Sequence, residues 1–337
     1  MKTVSVIMPV YNARDTVALA IGSLGAHACE DVEVIAVDDG STDGSGELLD
    51  VMARESGRLR VLHIPHGGIV QALTAGIEEA TGEYIARMDA DDESLPGRLD
   101  AQRAFLDERE DIGLVGGQVL FGGDRMRAQG YALHVDWLNG LRTPEEIALE
   151  RFVESPFAHP SVMFRHDLIV RHGGYRDGAF PEDYELWLRW MDAGVRMARI
   201  DRPVLRWNDP PQRLSRTDTR YSIDAFYGIK ARYLSRYLQR INPFHPEVII
   251  WGSGRTTRRR VRMLQQQGVV VRSWVDVDPD KIGHVIEDAP VIAADNLPGP
   301  GEAFSVSFVG NRGARERIGS WFGRHGYRKG VDFLHAA

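Results

Sequence analysis

Short runs of apolar and β-branched residues alternate with polar segments in the first part of the chain. Four of them have the length and composition of buried strands, namely VSVIMPV, VEVIAVDD, LRVLHI and EYIARMD. The segments between them space their apolar residues as helices do. This alternation predicts an α/β fold with a largely parallel sheet.

Polar residues follow three of these predicted strands. Tyr11 and Asn12 follow the first strand, Asp38 and Asp39 end the second, and residues 89–92 follow the fourth. Open α/β sheets bind their ligands at the carboxyl ends of their parallel strands. We therefore expect these residues to line one crevice.

Two later segments have the pattern of amphipathic helices. TPEEIALERF can form a capping box between Thr143 and Glu146. EDYELWLRWMDAG carries an apolar stripe and ends at Gly194, a residue type suited to a helix C-terminus.

A break in the pattern predicts two domains, as a chain of 337 residues leads one to expect. Pro243 and Pro246 in RINPFHPE interrupt both helix and strand after a predicted helix around residues 226–240. The pattern then restarts with VIIWGSGRTTRRRVRMLQQQG, VVVRSWVDVDP and AFSVSFVG. We predict a first domain over 1–240 and a smaller, Rossmann-like α/β domain over 241–337.

The composition is that of a folded globular protein, with 43% apolar and 26% charged residues. The net charge of −7 argues against a nucleic-acid partner.

No run approaches the roughly 20 apolar residues of a membrane helix, and MKTVSVIMPV fits a first strand better than a signal peptide. We expect a cytoplasmic protein, with peripheral contact to the inner face of the membrane left open. The single cysteine, Cys29, excludes an internal disulfide.

The segment RMDADDESLP places Asp89, Asp91 and Asp92 close together after a strand. Their like charges repel unless a cation or hydrogen-bond donors compensate them. Hard oxygen ligands of this kind suit Mg²⁺ or Mn²⁺ shared with substrate phosphates. The alternative is a solvated acidic turn.

Two residues at neighbouring strand ends suit a nucleotide base. Asp39 precedes Gly40, where the backbone can turn sharply, and its carboxylate can accept the imide hydrogen of uracil. Tyr11 can stack on the base. The alternatives are a side chain that binds its own turn and a core tyrosine.

Taken in order, the segments SVIMPVYN, VIAVDDGSTD and GEYIARMDADD resemble the family 2 glycosyltransferases. The resemblance continues through SPFAHPSVMFR and GGYRDGAFPEDYELWLR and covers about residues 1–220. It implies the GT-A fold of nucleotide-diphospho-sugar transferases, a divalent cation (Mn²⁺ or Mg²⁺), and transfer with inversion by a single displacement.

The resemblance also implies roles for individual residues in the donor site. Pro9, Tyr11 and Asp39 hold the base, with Asn12 on the same loop. The resemblance places Asp89 at the ribose or diphosphate side of the donor, and it makes Asp91 the metal ligand.

In PEDYELW the resemblance makes Asp183 the general base, with Glu182 beside it. Asp183 falls in the first turn of a predicted helix, where the helix dipole favours an ionised carboxylate. The alternative is an acid that only caps the helix.

Three further residues are candidates at this site. His159 precedes a proline, so its backbone is extended and its ring can face the acceptor, although a structural histidine fits equally. Arg213 and Arg216 in PPQRLSR can bind the donor diphosphate with bidentate hydrogen bonds, or form a solvated basic loop. This segment departs from the Gln-x-x-Arg-Trp pattern of processive family members, which argues against a synthase that extrudes its product.

The second domain begins with a partial dinucleotide-binding fingerprint. Gly252 and Gly254 lie at a strand-to-helix turn, and Asp276 ends the next strand, where a ribose-binding acid sits. The third glycine of the fingerprint is absent. WVDVDPDKIGHVIEDAPVI also resembles the N-terminal domain of PglD-type sugar acetyltransferases, so either a nucleotide or only a packing or dimerisation role fits.

The resemblance to family 2 implies a metal-dependent glycosyltransferase of surface glycan assembly. Because Asp39 suits uracil, the expected donor is a UDP-sugar, and the expected acceptor is a glycan or a lipid-linked sugar. A non-catalytic nucleotide-sugar sensor or scaffold is the first alternative, and an NAD-dependent oxidoreductase centred on the second domain is the other. A homo-oligomer is left open.

Overall fold

The computed structural model describes residues 3–25, 31–211 and 213–337; Cys29 lies outside the described residues. The chain divides into two compact units. The first comprises Met1–Ala148, Pro156–Gly178 and Glu182–Thr217, and the second comprises Leu149–Ser155, Ala179–Pro181 and Asp218–Ala337. The boundary predicted at residue 240 lies near the end of a long helix of the second unit, Ile223–Ile241.

In the described residues, the first unit contains one eight-stranded sheet. Its strands are β1 Val4–Val10, β2 Val32–Asp38, β3 Leu59–His63, β4 Tyr84–Arg87, β5 Glu93–Ser94, β6 Ile112–Phe121, β7 Met163–Arg165 and β8 Arg196–Trp207. They lie in the order β3-β2-β1-β4-β7-β6-β8-β5. The neighbours from β3 to β4 pair in parallel, whereas β7 is antiparallel to β4 and β6. The four predicted strands are β1 to β4, and the predicted α/β fold is confirmed.

Helices connect and cover these strands. They are α1 Val17–Gly25, α2 Ser45–Glu55, α3 Ile69–Glu78, α4 Arg98–Glu108, α5 Gln129–Gly140, α6 Pro144–Glu150, α7 Asp167–His172, α8 Glu182–Asp192 and α9 Leu214–Thr217. The predicted capping box of α6 is formed, since the Glu146 amide donates to Thr143 Oγ1 at 3.1 Å and the Thr143 amide donates to Glu146 Oε2 at 3.1 Å. Gly194 follows α8 with a φ of +89°, as its predicted role at the helix end requires.

The central strands of the first sheet are buried on both faces. Along β1, Val6 and Met8 contribute to one hydrophobic cluster, while Ile7 between them contributes to another. Alternate side chains of a strand point to opposite faces, so a continuous apolar run is what a sheet covered on both sides needs.

The second unit has its own sheet in the described residues. Its strands are β9 Glu247–Trp251, β10 Val270–Val275, β11 Val285–Ile286, β12 Ala289–Ile292, β13 Ser305–Ser307 and β14 Phe333–His335, and its helices are α10 Ile223–Ile241, α11 Arg255–Gln265 and α12 Ala314–Arg324. The strands lie in the order β11-β12-β10-β9-β13-β14, and all pairs except β11 with β12 are parallel. The strands that follow β9 are added first on one side of it, at β10 to β12, and then on its other side, at β13 and β14, as in doubly wound sheets.

None of the helices in the described part of the chain combines the length and the hydrophobicity that crossing a bilayer requires.

Candidate active site

The parallel pairing of β1, β2 and β4 brings their carboxyl ends to one edge of the sheet. Val10 pairs with Asp38, and the Asp39 amide donates to the Val10 carbonyl at 2.9 Å. The Met88 amide likewise donates to the Ile7 carbonyl at 3.1 Å. The polar residues that follow these strands therefore lie along the same edge, where the sequence predicted a crevice.

Asp39 is buried at this edge and organises the loop before α3. Its two carboxylate oxygens accept the amide hydrogens of Gly67 and Gly68 at 2.8 and 2.9 Å. The His66 Nδ1 atom lies 3.0 Å from Asp39 Oδ2, and the His66 ring stacks on Tyr11 with a centroid distance of 4.2 Å. Tyr11 is 49% exposed, so the stacked pair presents aromatic surface beside a buried carboxylate.

His66 is a residue that the sequence analysis missed. It lies 27 positions beyond Asp39 in a loop without a strand-end motif, and only the fold brings the two together. A histidine next to two glycines before a helix was the only signal in the sequence.

Asn12 and Pro9 have supporting positions in this region. The Asn12 Oδ1 atom accepts the Thr42 amide at 2.8 Å, and the Asn12 amide donates to Ser41 Oγ at 3.0 Å. Asn12 therefore ties the loop after β1 to the loop after β2, with a φ of +49° that asparagine tolerates better than most residues. Pro9 lies within β1 opposite Val37.

The acidic cluster is closely packed. Asp89, Asp91 and Asp92 each offer one carboxylate oxygen, and these three oxygens lie within 4.8 Å of one another. Burial, and then the charge of Asp89, raises the pKa of Asp91 to about 6. The same two causes, joined by Asp91, raise the pKa of Asp92 well above its usual range. Three adjacent carboxylates are therefore poorly compensated in the chain alone.

Two neighbours compensate part of this charge. Buried Arg87 forms an ion pair with Asp89. The Asn208 amide donates to Asp92 Oδ1 at 2.8 Å, but Asp92 Oδ2, on a side chain only 2% exposed, has no hydrogen-bond partner among the described residues. A buried carboxylate oxygen without a donor is costly unless a cation binds it. The cluster thus fits a divalent cation better than it fits a solvated acidic turn.

Asp183 and Glu182 begin α8 but have different surroundings. Asp183 keeps part of its surface accessible, and its Oδ1 accepts the Tyr184 amide at 2.7 Å. Burial, and then the charge of Glu182, raises the pKa of Asp183 to about 8. Glu182 is only 2% exposed, so Asp183 is the member of the pair that a substrate can reach.

His159 is a buried residue, and a position of its ring at the acceptor stays a prediction. The side chain is 7% exposed. Its Nε2 atom lies 2.6 Å from the Tyr175 hydroxyl, and its Nδ1 atom lies 3.7 Å from Glu182 Oε1. Burial, and then the nearby charge of Arg87, lowers the pKa of His159 well below its usual value, so the ring is neutral. The structural-histidine alternative is the one that the surroundings support.

Arg213 and Arg216 lie beyond the end of β8. Both approach the carboxylate of Asp209, at 3.7 Å for Arg213 and 2.7 Å for Arg216. The charge of Arg213 also lowers the pKa of Asp91, in opposition to burial and Asp89. Both arginines are therefore held by Asp209, and Arg213 is close enough to the acidic cluster to act on Asp91.

The edge of the sheet thus carries an aromatic surface, an acidic cluster and an accessible carboxyl group. The family model described as glycosyl transferase family 2 matches residues 5–173. This chain belongs to glycosyl transferase family 2. It is a glycosyltransferase, and the resemblance found in the sequence is confirmed for the family.

Individual relatives agree with this assignment. EpsE of Bacillus subtilis, named as a glycosyltransferase, is 31% identical over 227 residues, which cover 66% of this chain and 78% of EpsE. The amylovoran biosynthesis glycosyltransferase AmsE of Erwinia amylovora is 29% identical over 208 residues, covering 58% of this chain and 72% of AmsE.

A solved structure confirms the fold. The crystal structure of S. aureus TarS 1-349 in complex with UDP-GlcNAc superposes with a TM-score of 0.53 at 18% identity, covering 79% of this chain and 71% of that one. The first unit of this glycosyltransferase therefore has the GT-A fold.

In the second unit of the glycosyltransferase, the predicted ribose-binding acid is engaged by its own turn. Asp276 accepts hydrogen bonds from the Ser253 amide and hydroxyl and from the amides of Val277 and Asp278, and Lys281 Nζ lies 3.3 Å away. A ribose hydroxyl would have to displace one of these donors. Ribose binding at Asp276 stays a prediction, and these contacts favour the packing alternative for this turn.

The two glycines of the same turn differ from each other. Gly252 has a φ of +106°, and a Cβ atom there would lie 2.7 Å from Val309, so only glycine fits. Gly254 precedes α11 with an ordinary φ of −66° and has open space around it. Nucleotide binding at these glycines stays a prediction.

Proposed function

We propose that this glycosyltransferase moves a sugar from a UDP-sugar to a hydroxyl of a glycan or lipid-linked acceptor, with inversion at the anomeric carbon. The observation that carries the proposal is the convergence of the Tyr11–His66 pair, Asp39 and the acidic cluster at the carboxyl edge of one parallel sheet. The role of AmsE in amylovoran biosynthesis supports a role of this chain in polysaccharide biosynthesis.

The base site supports a uridine donor. An aromatic surface stacks with any base, so Tyr11 and His66 supply affinity without selecting one. Asp39 accepts two backbone amides and, as a carboxylate with about four acceptor positions, retains capacity for the imide hydrogen of uracil. The TarS complex contains a uridine donor, UDP-GlcNAc, on the same fold.

The acidic cluster supports dependence on Mn²⁺ or Mg²⁺. Asp91, with Asp89 and Asp92 beside it, would hold the ion, which would neutralise charge on the departing diphosphate. Arg213 and Arg216 would supply further positive charge on the same side of the donor.

Asp183 would act as the general base of a single displacement. The acceptor oxygen forms a bond to the anomeric carbon as the bond from that carbon to the diphosphate oxygen breaks, and Asp183 takes the proton of the acceptor hydroxyl. The diphosphate leaves with the electron pair of the broken bond. The buried contacts of Glu182 and His159 hold the start of α8, and so position Asp183.

Calorimetric titration with UDP-, GDP- and dTDP-sugars, with and without Mn²⁺, tests the donor site. We expect binding of a UDP-sugar that depends on Mn²⁺ and is lost in Asp39→Ala. Stronger binding of a GDP- or dTDP-sugar would contradict the choice of uridine. An affinity that is the same with and without Mn²⁺ would contradict the metal site.

Replacing Tyr11 with alanine should weaken UDP binding about tenfold, because stacking on a base contributes roughly 1 to 3 kcal/mol. The dissociation constant of UDP with saturating Mn²⁺ measures the effect. Tyr11→Phe is the matched control, since it keeps the ring and should keep the affinity. If Tyr11→Ala binds UDP as tightly as the unmodified chain does, the uracil ring does not stack on Tyr11.

Activity should rise with pH between 6 and 8. A base must be ionised to accept a proton, and a pKa of about 8 leaves Asp183 mostly protonated below that pH. At pH 7 about one carboxyl in ten is ionised, so kcat/KM should increase about tenfold over each pH unit on the acid side. A profile of kcat/KM that is flat from pH 6 to 8 would contradict this assignment.

A further inference from the structure

Asp209 holds both of the arginines that follow β8. Its side chain is only 5% exposed. Arg216 Nη2 lies 2.7 and 2.8 Å from the two carboxylate oxygens, and Arg216 Nη1 donates to the Pro210 carbonyl at 2.8 Å. Arg213 Nη1 approaches Asp209 Oδ1 at 3.7 Å. The carboxylate therefore has two cationic partners, one close and one looser.

Aromatic rings support the same two guanidinium groups. Arg213 lies 4.1 Å from the ring centroid of Trp207 and 5.2 Å from that of Tyr131, and Arg216 lies 4.7 Å from the Tyr131 ring. The Tyr131 hydroxyl is 3.0 Å from Ser215 Oγ. Both guanidinium groups therefore lie against aromatic rings, which attract a cation through their π faces.

Asn208 links Asp209 and its two arginines to the acidic cluster of Asp89, Asp91 and Asp92. The Asn208 amide donates to Asp92 Oδ1, and its Nδ2 donates to the Asp91 carbonyl at 2.7 Å. The backbone next to Asp209 is thereby fixed to the metal-binding candidates. Gly123 allows a close approach to Asp209, since a Cβ atom at position 123 would lie 2.7 Å from Asp209 Cβ.

The pair between Arg213 and Asp209 is incomplete. Among the described residues, Arg213 Nη1 is a buried nitrogen without a hydrogen-bond partner, whereas Asp209 Oδ1 already has Arg216 Nη2 at 2.7 Å. A charged donor and acceptor at 3.7 Å attract each other but do not form a hydrogen bond. Arg213 thus retains a buried donor that an incoming anion can satisfy.

We propose that Asp209 is an internal competitor of the donor diphosphate for Arg213 and Arg216. The inference rests on the proposed function, which places these arginines at the diphosphate. A diphosphate offers several anionic oxygens to the same guanidinium groups that the carboxylate holds in the free chain. Affinity for the nucleotide is then reduced by the fraction of molecules in which Asp209 retains the cations. Asp209 would thus set how tightly donor and leaving diphosphate are held.

The test is the affinity of Asp209→Asn for UDP in saturating Mn²⁺, measured by calorimetry. Asparagine keeps the shape of the side chain but removes its charge, so UDP should bind about tenfold more tightly than to the unmodified chain. Asp209→Ser is a second variant with the same expected direction. A carboxylate that only shapes the loop would give the opposite sign, since its loss would disorder the arginines.

Two further variants make the result specific. Asp111 also pairs with two arginines, Arg109 and Arg196, but at the amino end of β6, so Asp111→Asn should leave UDP affinity unchanged. In an Arg216→Met background, the gain from Asp209→Asn should shrink to twofold or less, because the cation that the carboxylate holds most closely is gone.

The outcomes separate this inference from the proposed function. If the unmodified chain binds UDP and both Asp209 variants bind it equally or more weakly, the competitor role is wrong while the donor site stands. If neither the unmodified chain nor the variants bind UDP or GDP with Mn²⁺, the donor site and the competitor role fall together. Circular dichroism melts establish that each variant is folded.

Discussion

Replacing Asp183 with asparagine should lower kcat about a thousandfold while leaving the affinity for UDP within twofold. General-base catalysis contributes about 10² to 10⁴ in rate, and the amide cannot accept the proton of the acceptor hydroxyl. Asparagine has nearly the same shape, and its oxygen can still accept the Tyr184 amide, so α8 should begin as before. The loss should therefore lie in the chemical step and not in folding or donor binding.

The measurement is release of UDP from the UDP-sugar in the presence of acceptor, beside calorimetry with UDP. Asp167→Asn is the matched control, since Asp167 also lies in the first turn of a helix, α7, but pairs with Arg171 on the surface. An Asp183 variant with more than a tenth of the normal kcat would rule this residue out as the base. Loss of UDP affinity in the same variant would instead show a disturbed donor site.

Local sequence patterns determine much of the first unit. The four apolar runs form β1 to β4. Successive residues such as Val6 and Ile7 are buried on opposite faces of the sheet, and a continuous apolar run supplies an apolar side chain to each face. The Thr143–Glu146 capping box formed because both partners lie within one helical turn. The strand-end residues met because parallel strands align their carboxyl ends.

Contacts between distant segments could not be predicted in this way. His66 stacks on Tyr11 across loops that no motif relates, and Asp209 meets its arginines through aromatic supports on α5 and β8. The burial of His159 depends on Tyr175 and Trp187, which lie 16 and 28 positions beyond it. The sequence shows which side chains can form hydrogen bonds. Whether such a side chain can contact a substrate depends on its burial, which is set by residues distant in the sequence.

The same distinction applies to Asp276. Its position after a strand matched that of a ribose-binding acid, yet four hydrogen bonds from Ser253, Val277 and Asp278 already occupy its carboxylate. Burial raises the pKa of Asp276, but these donors lower it further, so the charge is stabilised by the turn together with Ser253 of the preceding loop. A short polar side chain at a strand end binds its own backbone readily, and the strand-end position alone does not identify a ligand.

Replacing Asp91 with asparagine should abolish Mn²⁺-dependent binding of the donor and lower its turnover at least about a hundredfold. In the chain alone, burial and Asp89 raise the pKa of Asp91 to about 6, because the carboxylates repel one another. A divalent cation relieves this repulsion, and its binding should release protons as the pH falls toward 6. The variant removes one of the three anionic ligands and with it most of the attraction for the ion.

Mn²⁺ binding followed by electron paramagnetic resonance checks this directly, without need of the sugar or the acceptor. Asp100→Asn is the control, since Asp100 carries the same charge on α4 and pairs there with Arg103. If the Asp91 variant binds Mn²⁺ and turns over donor as well as the unmodified chain does, the metal is not held at Asp91. The orphaned Oδ2 of Asp92 and the Arg87-paired carboxylate of Asp89 would then be insufficient grounds for a metal site. The three carboxylates would then have to be compensated by hydrogen bonds from hydroxyl groups of the nucleotide-sugar.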